Sequence, residues 1–198
     1  MADAGKPTRV EIRFSGSGGQ GILLAAAIVA EGAAALGKHV VQTQSYGPEA
    51  RGGASKAEVI VSDEEIDYPE VQHPDVSLVL SQAAYLKYAA DTRPGGLLIY
   101  DSGLVEPDPS DESLVRCGLP FTQAAMDDLG KKVVTNIVAV GALAVISGVL
   151  PVDAVSQAVV SRVPARFKEL NEQAYDLGLR LGEEALAMLA APSTTTAT

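Results

Sequence analysis

One cysteine, Cys117, stands in a chain of 198 residues. A lone thiol closes no intrachain disulfide, and it falls short of the four thiolates an iron–sulfur cluster usually takes. Histidine is nearly as scarce: His39 and His73 lie far apart without metal-ligand spacing, so both read as structural residues. A metal serving any redox chemistry here is expected on another chain. Cations are also in short supply. Fifteen Lys and Arg face 25 Asp and Glu, for a formal charge of −10, and no basic run stands out. Nucleic acid is an improbable partner on that balance, because phosphate binding needs clustered cations to displace counterions. Anionic lipid headgroups offer no attraction either. The first eight residues, MADAGKPT, hold no apolar signal core, which leads us to expect a cytoplasmic address. The most apolar stretch, Val133 to Leu150, is interrupted by Thr135, Asn136 and Ser147 and reads as a buried helix rather than a membrane span.

Hydrophobic residues at 47% against 20% charged place the chain among globular proteins. Its length suits one domain, expected over residues 8–190, with flexible termini at 1–7 and at the Ser/Thr-rich end 191–198. From Thr8 to Phe14 the chain alternates, Val10, Ile12 and Phe14 against Arg9, Glu11 and Arg13, which predicts a strand with one buried face. Ile22 to Leu36 predicts a helix ended by Gly37 as a left-handed cap. Further strands are expected at His39–Thr43, Ala57–Val61, Asp75–Leu80 and Leu97–Tyr100, with a short edge strand at Ser113–Arg116. Helices are expected at Gln82–Ala90, Val133–Ser147, Val152–Val163 and from Phe167 to Met188. Strands alternating with helices give the α/β class: a Rossmann-like, doubly wound, mostly parallel sheet with a helical C-terminal portion. The Ile22 and Val133 helices are apolar nearly all round, so a sheet is expected to cover one side and a second helix or a partner subunit the other, with one or both helices buried partly by another subunit.

Gly16, Gly18 and Gly21 satisfy G-x-G-x-x-G between a strand and a helix, with Gly19 and Gln20 inside the turn. Such glycines let the backbone turn tightly while the helix N-terminus offers N–H groups to an anion. They could instead serve close packing alone. A P-loop is excluded, since Ile22 and Leu23 stand where Lys and Ser or Thr belong. A simple dinucleotide site is disfavoured, since Val41-Gln42-Thr43-Gln44 lacks the acidic residue that holds ribose hydroxyls. The loop Ser45–Gly53 sets Tyr46, Glu49 and Arg51 among small residues. These three could line a pocket or interface, as loops on rigid scaffolds often do, or form a surface ion pair of small energetic value. No adjacent nucleophile and base can be identified, so no catalytic residue is assigned.

The run S-G-S-G-G-Q-G-I at Ser15–Ile22, followed by S-Y-G-P-E-A-R-G-G-A-S at Ser45–Ser55, resembles the gamma subunit of 2-oxoacid:ferredoxin oxidoreductases. The resemblance continues through Ala57–Ile66, Tyr68-Pro69, Gln82-Ala83, Gly96–Asp101 and the Asn136 helix with Gly141-Ala142, covering Val10 to about Leu186. It implies a subunit of an enzyme that converts a 2-oxoacid and coenzyme A to acyl-CoA, carbon dioxide and reduced ferredoxin. Thiamine diphosphate, Mg2+ and 4Fe–4S clusters are then expected on alpha, beta and delta-type ferredoxin-like partners. This chain would assist assembly and handle coenzyme A, its candidate contacts being Gly16, Gly18, Gly19, Gln20, Gly21, Tyr46, Glu49 and Arg51. The run Tyr46–Pro69 looks most like the 2-oxoglutarate type. Pyruvate, branched 2-oxoacid and indolepyruvate enzymes share the same gamma architecture, and a stand-alone nucleotide-binding protein or a purely structural subunit remain alternatives.

Overall fold

The computed structural model describes residues 9–45, 53–110 and 112–190, with backbone alone at 189 and 190. Six strands form one sheet: β1 (Arg9–Ser17), β2 (His39–Ser45), β3 (Ala54–Ser62), β4 (Val76–Val79), β5 (Leu97–Asp101) and β6 (Val115–Leu119), in the order β2-β3-β1-β4-β5-β6. β1, β4, β5 and β6 pair in parallel, and β3 runs antiparallel to both β1 and β2. Five strands therefore share one direction and β3 alone opposes them. The expected mostly parallel α/β sheet is present, with the Ser45–Gly53 segment joining two antiparallel neighbours. The β6 edge strand begins two residues later than the expected Ser113 and runs on to Leu119.

Helix α1 (Ile22–Ala35) packs on β1, β2 and β3, while α2 (Gln82–Tyr88) covers the opposite face. α3 (Phe121–Leu129), α4 (Thr135–Ser147), α5 (Val152–Arg162) and α6 (Lys168–Ala190) thicken the α1 side. Gly37, at φ 75°, ends α1 as expected: its N–H bonds the Ala34 carbonyl at 2.9 Å, and Lys38 N–H bonds Ala33 at 3.2 Å.

Much of the cover on the two apolar helices comes from the chain itself. Thr135 through Ala144 of α4 are all buried, with α6 lying along the helix, and α5 lies along α1. Helix-on-helix cover is thus one of the two expected sources, although periodicity within either segment does not say which later helix supplies it. A departure concerns β1. Arg13, read as part of a solvent face, is 2% exposed, held beneath α2 by Glu58, Asp91 and the Val71 carbonyl. Cys117 lies buried on β6, and burial pushes its thiol above the ordinary range, so it packs as a small apolar side chain. Among the described residues no helix is long and apolar enough to cross a membrane.

Candidate functional site

The carboxyl ends of β1, β4 and β5 meet at one edge of the sheet, where ligands of open α/β folds gather. Gly16 and Ser17 still belong to β1; the turn proper is Gly18-Gly19-Gln20, and Gly21 precedes α1 at φ 71°. Gln20 fixes the turn from inside. Its Oε1 accepts from Ser17 N–H at 2.6 Å, and its Nε2 donates to the Leu80 carbonyl beyond β4 at 2.6 Å. Asn136, 3% exposed near the start of α4, donates from Nδ2 to the Gly21 carbonyl at 3.1 Å.

These contacts divide the glycines into two roles. A Cβ on Gly16 would stand 2.7 Å from Gln20 Oε1, and one on Gly21 would stand 2.6 Å from Asn136 Nδ2. Those two positions are dictated by packing. Around Gly18 and Gly19 a Cβ would find no atom within 4 Å among the described residues, which leave the turn's outer side open, and Gly19 at φ 87° needs glycine for its backbone alone. The amino end of α1 carries no side-chain cap and no acidic residue in its first turn. Its leading N–H groups, with the positive end of the helix dipole, stand beside the open turn. Gly21→Ala should therefore destabilise the chain by roughly 2 kcal/mol, from left-handed strain and displacement of the Asn136 amide. Urea unfolding of the purified chain measures it; an unchanged midpoint would mean the Asn136 clasp is dispensable.

Two clefts adjoin the turn and share Gly19 and Val133. One, of about 480 Å³, is mainly apolar and is lined by Leu24, Val134, Val163, Phe167, Leu170 and, at its rim, Lys131. The other, of about 310 Å³, is more polar and is bounded by Gln20, Thr122, Lys132 and Thr135. Thr122 is anchored by buried Asp101 at the end of β5: Asp101 Oδ2 accepts from Thr122 N at 3.0 Å and from Thr122 Oγ1 at 2.6 Å. Lys131, Lys132, Val133 and Phe167 were missed in the sequence. The available signal was that Lys131-Lys132 is the one adjacent pair of cations in an acidic chain.

Of the residues expected at the site, Gly16, Gly18, Gly19, Gln20 and Gly21 come together at this edge. Tyr46, Glu49 and Arg51 lie outside the described residues. Their segment leaves the sheet at Ser45, paired with Lys56, and the chain re-enters at Ala54, paired with Ser17 beside the turn. β2 ends in Thr43-Gln44-Ser45, with no carboxylate for a ribose.

With known proteins, residues 11–181 match the pyruvate ferredoxin/flavodoxin oxidoreductase family. The chain is 44% identical over 178 residues to the 2-oxoglutarate synthase subunit KorC of Methanocaldococcus jannaschii, spanning 89% of this chain and 95% of that one. It superposes with a TM-score of 0.81 and 45% identity on the gamma subunit of a keto/oxoacid ferredoxin oxidoreductase from Geobacter sulfurreducens, covering 89% and 98% of the two chains. The fold also recurs as about a third of a longer polypeptide, the 2-oxoglutarate:ferredoxin oxidoreductase of Magnetococcus marinus, solved with 2-oxoglutarate, coenzyme A and succinyl-CoA. That likeness has a TM-score of 0.75 and 23% identity, and it covers 92% of this chain and 31% of that one.

Proposed function

The chain belongs to the pyruvate ferredoxin/flavodoxin oxidoreductase family as a gamma-type subunit of a 2-oxoacid:ferredoxin oxidoreductase, and from that premise we propose that it serves a 2-oxoglutarate enzyme in which it positions coenzyme A. The substrate assignment is supported by the likeness to a 2-oxoglutarate synthase subunit along nearly the whole chain. In the reaction so assigned, 2-oxoglutarate loses carbon dioxide, its two electrons pass to ferredoxin, and the acyl group leaves on the coenzyme A sulfur. Thiamine diphosphate, Mg2+ and the 4Fe–4S clusters belong to alpha, beta and delta-type partners in this reading. One cysteine cannot furnish the thiolates of such a cluster.

The observation that carries the coenzyme A role is the open outer side of the Gly18-Gly19 turn against the uncapped amino end of α1. Backbone N–H groups there match a diphosphate, and the missing side chains let it approach. Gln20 and Asn136 hold the turn in place, so no reorganisation is needed when the anion arrives. Arg51, proposed from its motif, would add a charge-assisted bond.

Two measurements test this reading. The purified chain should turn over no 2-oxoacid until the partner subunits are added; activity of the chain alone would overturn the subunit assignment. In the reconstituted complex, Gly18→Val should raise the KM for coenzyme A about tenfold, on the scale of one lost charge-assisted hydrogen bond, and leave the KM for 2-oxoglutarate nearly unchanged. Among the described residues a Cβ at this position meets no atom within 4 Å, so the urea midpoint of the variant is expected to match that of the parent. Arg51→Ala should shift the same constant. Unaltered coenzyme A kinetics in both variants would reduce this chain to an assembly role.

A further inference from the structure

Arg9, Arg13, Lys38, Lys56, Arg93, Arg162 and Arg180 all have carboxylate partners. Lys87, Lys131, Lys132, Arg166 and Lys168 have none among the described residues, and of these Lys131 and Lys132 line the two clefts. Lys131 lines the apolar one, Lys132 lines the polar one, and Arg166 and Lys168 flank Phe167, which walls the apolar cleft. In a chain of net charge −10, two adjacent unmatched cations lining concave surface create a local positive field that favours an anion.

The apolar cleft has further chemistry. Phe167 is 42% exposed, a high value for an aromatic ring, with the Arg166 guanidinium 4.6 Å above its centroid. Two buried amides, Asn136 and Asn171, also line this cleft, 3% and 7% exposed. Each commits its Nδ2 to a backbone carbonyl, that of Gly21 for Asn136 and that of Phe167 for Asn171. The Oδ1 of each remains as an acceptor without a partner among the described residues. A flat aromatic base carrying an exocyclic amine supplies the donor and the stacking face that this wall lacks.

We propose, resting on the coenzyme A reading above, that the two clefts divide its nucleotide end between them. The adenine enters the apolar cleft against Phe167, Lys131 at the rim takes the 3′-phosphate, and the diphosphate crosses Gly19 to Lys132. Val133, 78% exposed and lining both clefts, forms the ridge over which the ligand bends. The site is bipartite: recognition of the 3′-phosphate is separate from recognition of the diphosphate.

The test uses the reconstituted complex with coenzyme A and with dephospho-coenzyme A, which lacks only the 3′-phosphate. Both lysines are exposed, so Lys131→Gln and Lys132→Gln leave the fold intact. Lys132→Gln should raise the KM for both ligands about tenfold, and Lys131→Gln should raise it about tenfold for coenzyme A alone, erasing the preference for the 3′-phosphate. Lys131→Arg should restore the preference. Lys87→Gln, on α2 at the other face, should change neither constant. A preference unchanged in Lys131→Gln would overturn the proposal. If neither lysine variant alters the KM for coenzyme A while Gly18→Val does, the bipartite site is wrong and the turn's role stands. If the lysine variants instead weaken association with the partner subunits at unchanged KM, the cluster is a protein contact and the proposal fails.

Discussion

Gly178→Ala is expected to destabilise the chain by on the order of 3 kcal/mol, although alanine is the better helix former. α6 approaches α4 so closely at this point that a Cβ on Gly178 would stand 2.1 Å from the Val138 carbonyl oxygen and 2.9 Å from Gly141 Cα. Reciprocally, a Cβ on Gly141 would stand 2.4 Å from the Tyr175 carbonyl oxygen. These obstacles are backbone atoms, which cannot swing aside, so the two helices must part. Parting them disturbs the packing of Ile137, Val138 and Leu143, all in the main core. The intrinsic gain of alanine over glycine, about 1 kcal/mol in a helix interior, is too small to compensate. For a domain of this size the melting temperature should fall by roughly 6–12 °C. Gly182→Ala, where the nearest atoms are 3.0–3.2 Å away, should cost less, and Gly18→Ala should cost almost nothing. The order of the three midpoints in urea is the measurement. A Gly178→Ala chain as stable as the parent would show that α4 and α6 can slide apart freely.

This helix contact marks where the sequence stopped being informative. The apolar run from Val133 to Ser147 announces a buried helix, and the steps Phe167, Leu170, Ala174, Leu177 announce the amphipathic one that follows. That each covers the other depends on Gly141, Gly178 and Gly182 meeting in space, and no periodicity within either segment encodes a meeting. Parallel order was legible because strands alternate with helices. The reversal of β3 was not, because the short glycine-rich link from β2 could begin either a hairpin or a crossover.

The site divides along a similar line. The glycine turn was legible from its position between β1 and α1, since glycines, strand and helix are consecutive residues. Gln20 and Asn136 as its internal clamps were not. Asn136 reaches Gly21 across a separation of 115 residues, a contact that no local pattern encodes. Lys131 and Lys132 were passed over because two cations make no run. They gain meaning from the clefts they line and from having no ion-pair partner among the described residues, both properties of the fold.

Arg13→Met should destabilise the chain by about 3 kcal/mol, and Glu58→Met in the same chain should recover most of that loss. Arg13 sits at the middle of β1, directly across from Glu58 on β3, with both side chains beneath α2. Its Nε donates to Glu58 Oε1 at 2.7 Å, one terminal nitrogen donates to Asp91 Oδ2 at 2.5 Å, and the other donates to the Val71 carbonyl at 3.1 Å. The ring of Tyr88 lies 5.9 Å from the guanidinium carbon. One planar group thus ties β3, the residues after α2 and the 63–74 segment to the central strand. A lysine cannot reach three acceptors in these directions, so Arg13→Lys should behave much like Arg13→Met. Removing the arginine alone leaves the Glu58 carboxylate 7% exposed, with Lys56 at 2.8 Å as its remaining cation and the Val71 carbonyl without its donor. The cost of a buried carboxylate left with Lys56 alone, together with the unpaired carbonyl, exceeds the value of the Arg13–Glu58 pair itself, which is why two apolar residues of similar length should nearly restore stability. The double-mutant cycle in urea decides the matter. Additive losses in the double variant, or a loss below about 1 kcal/mol in Arg13→Met, would mean that water reaches Glu58 and the network is not buried in solution.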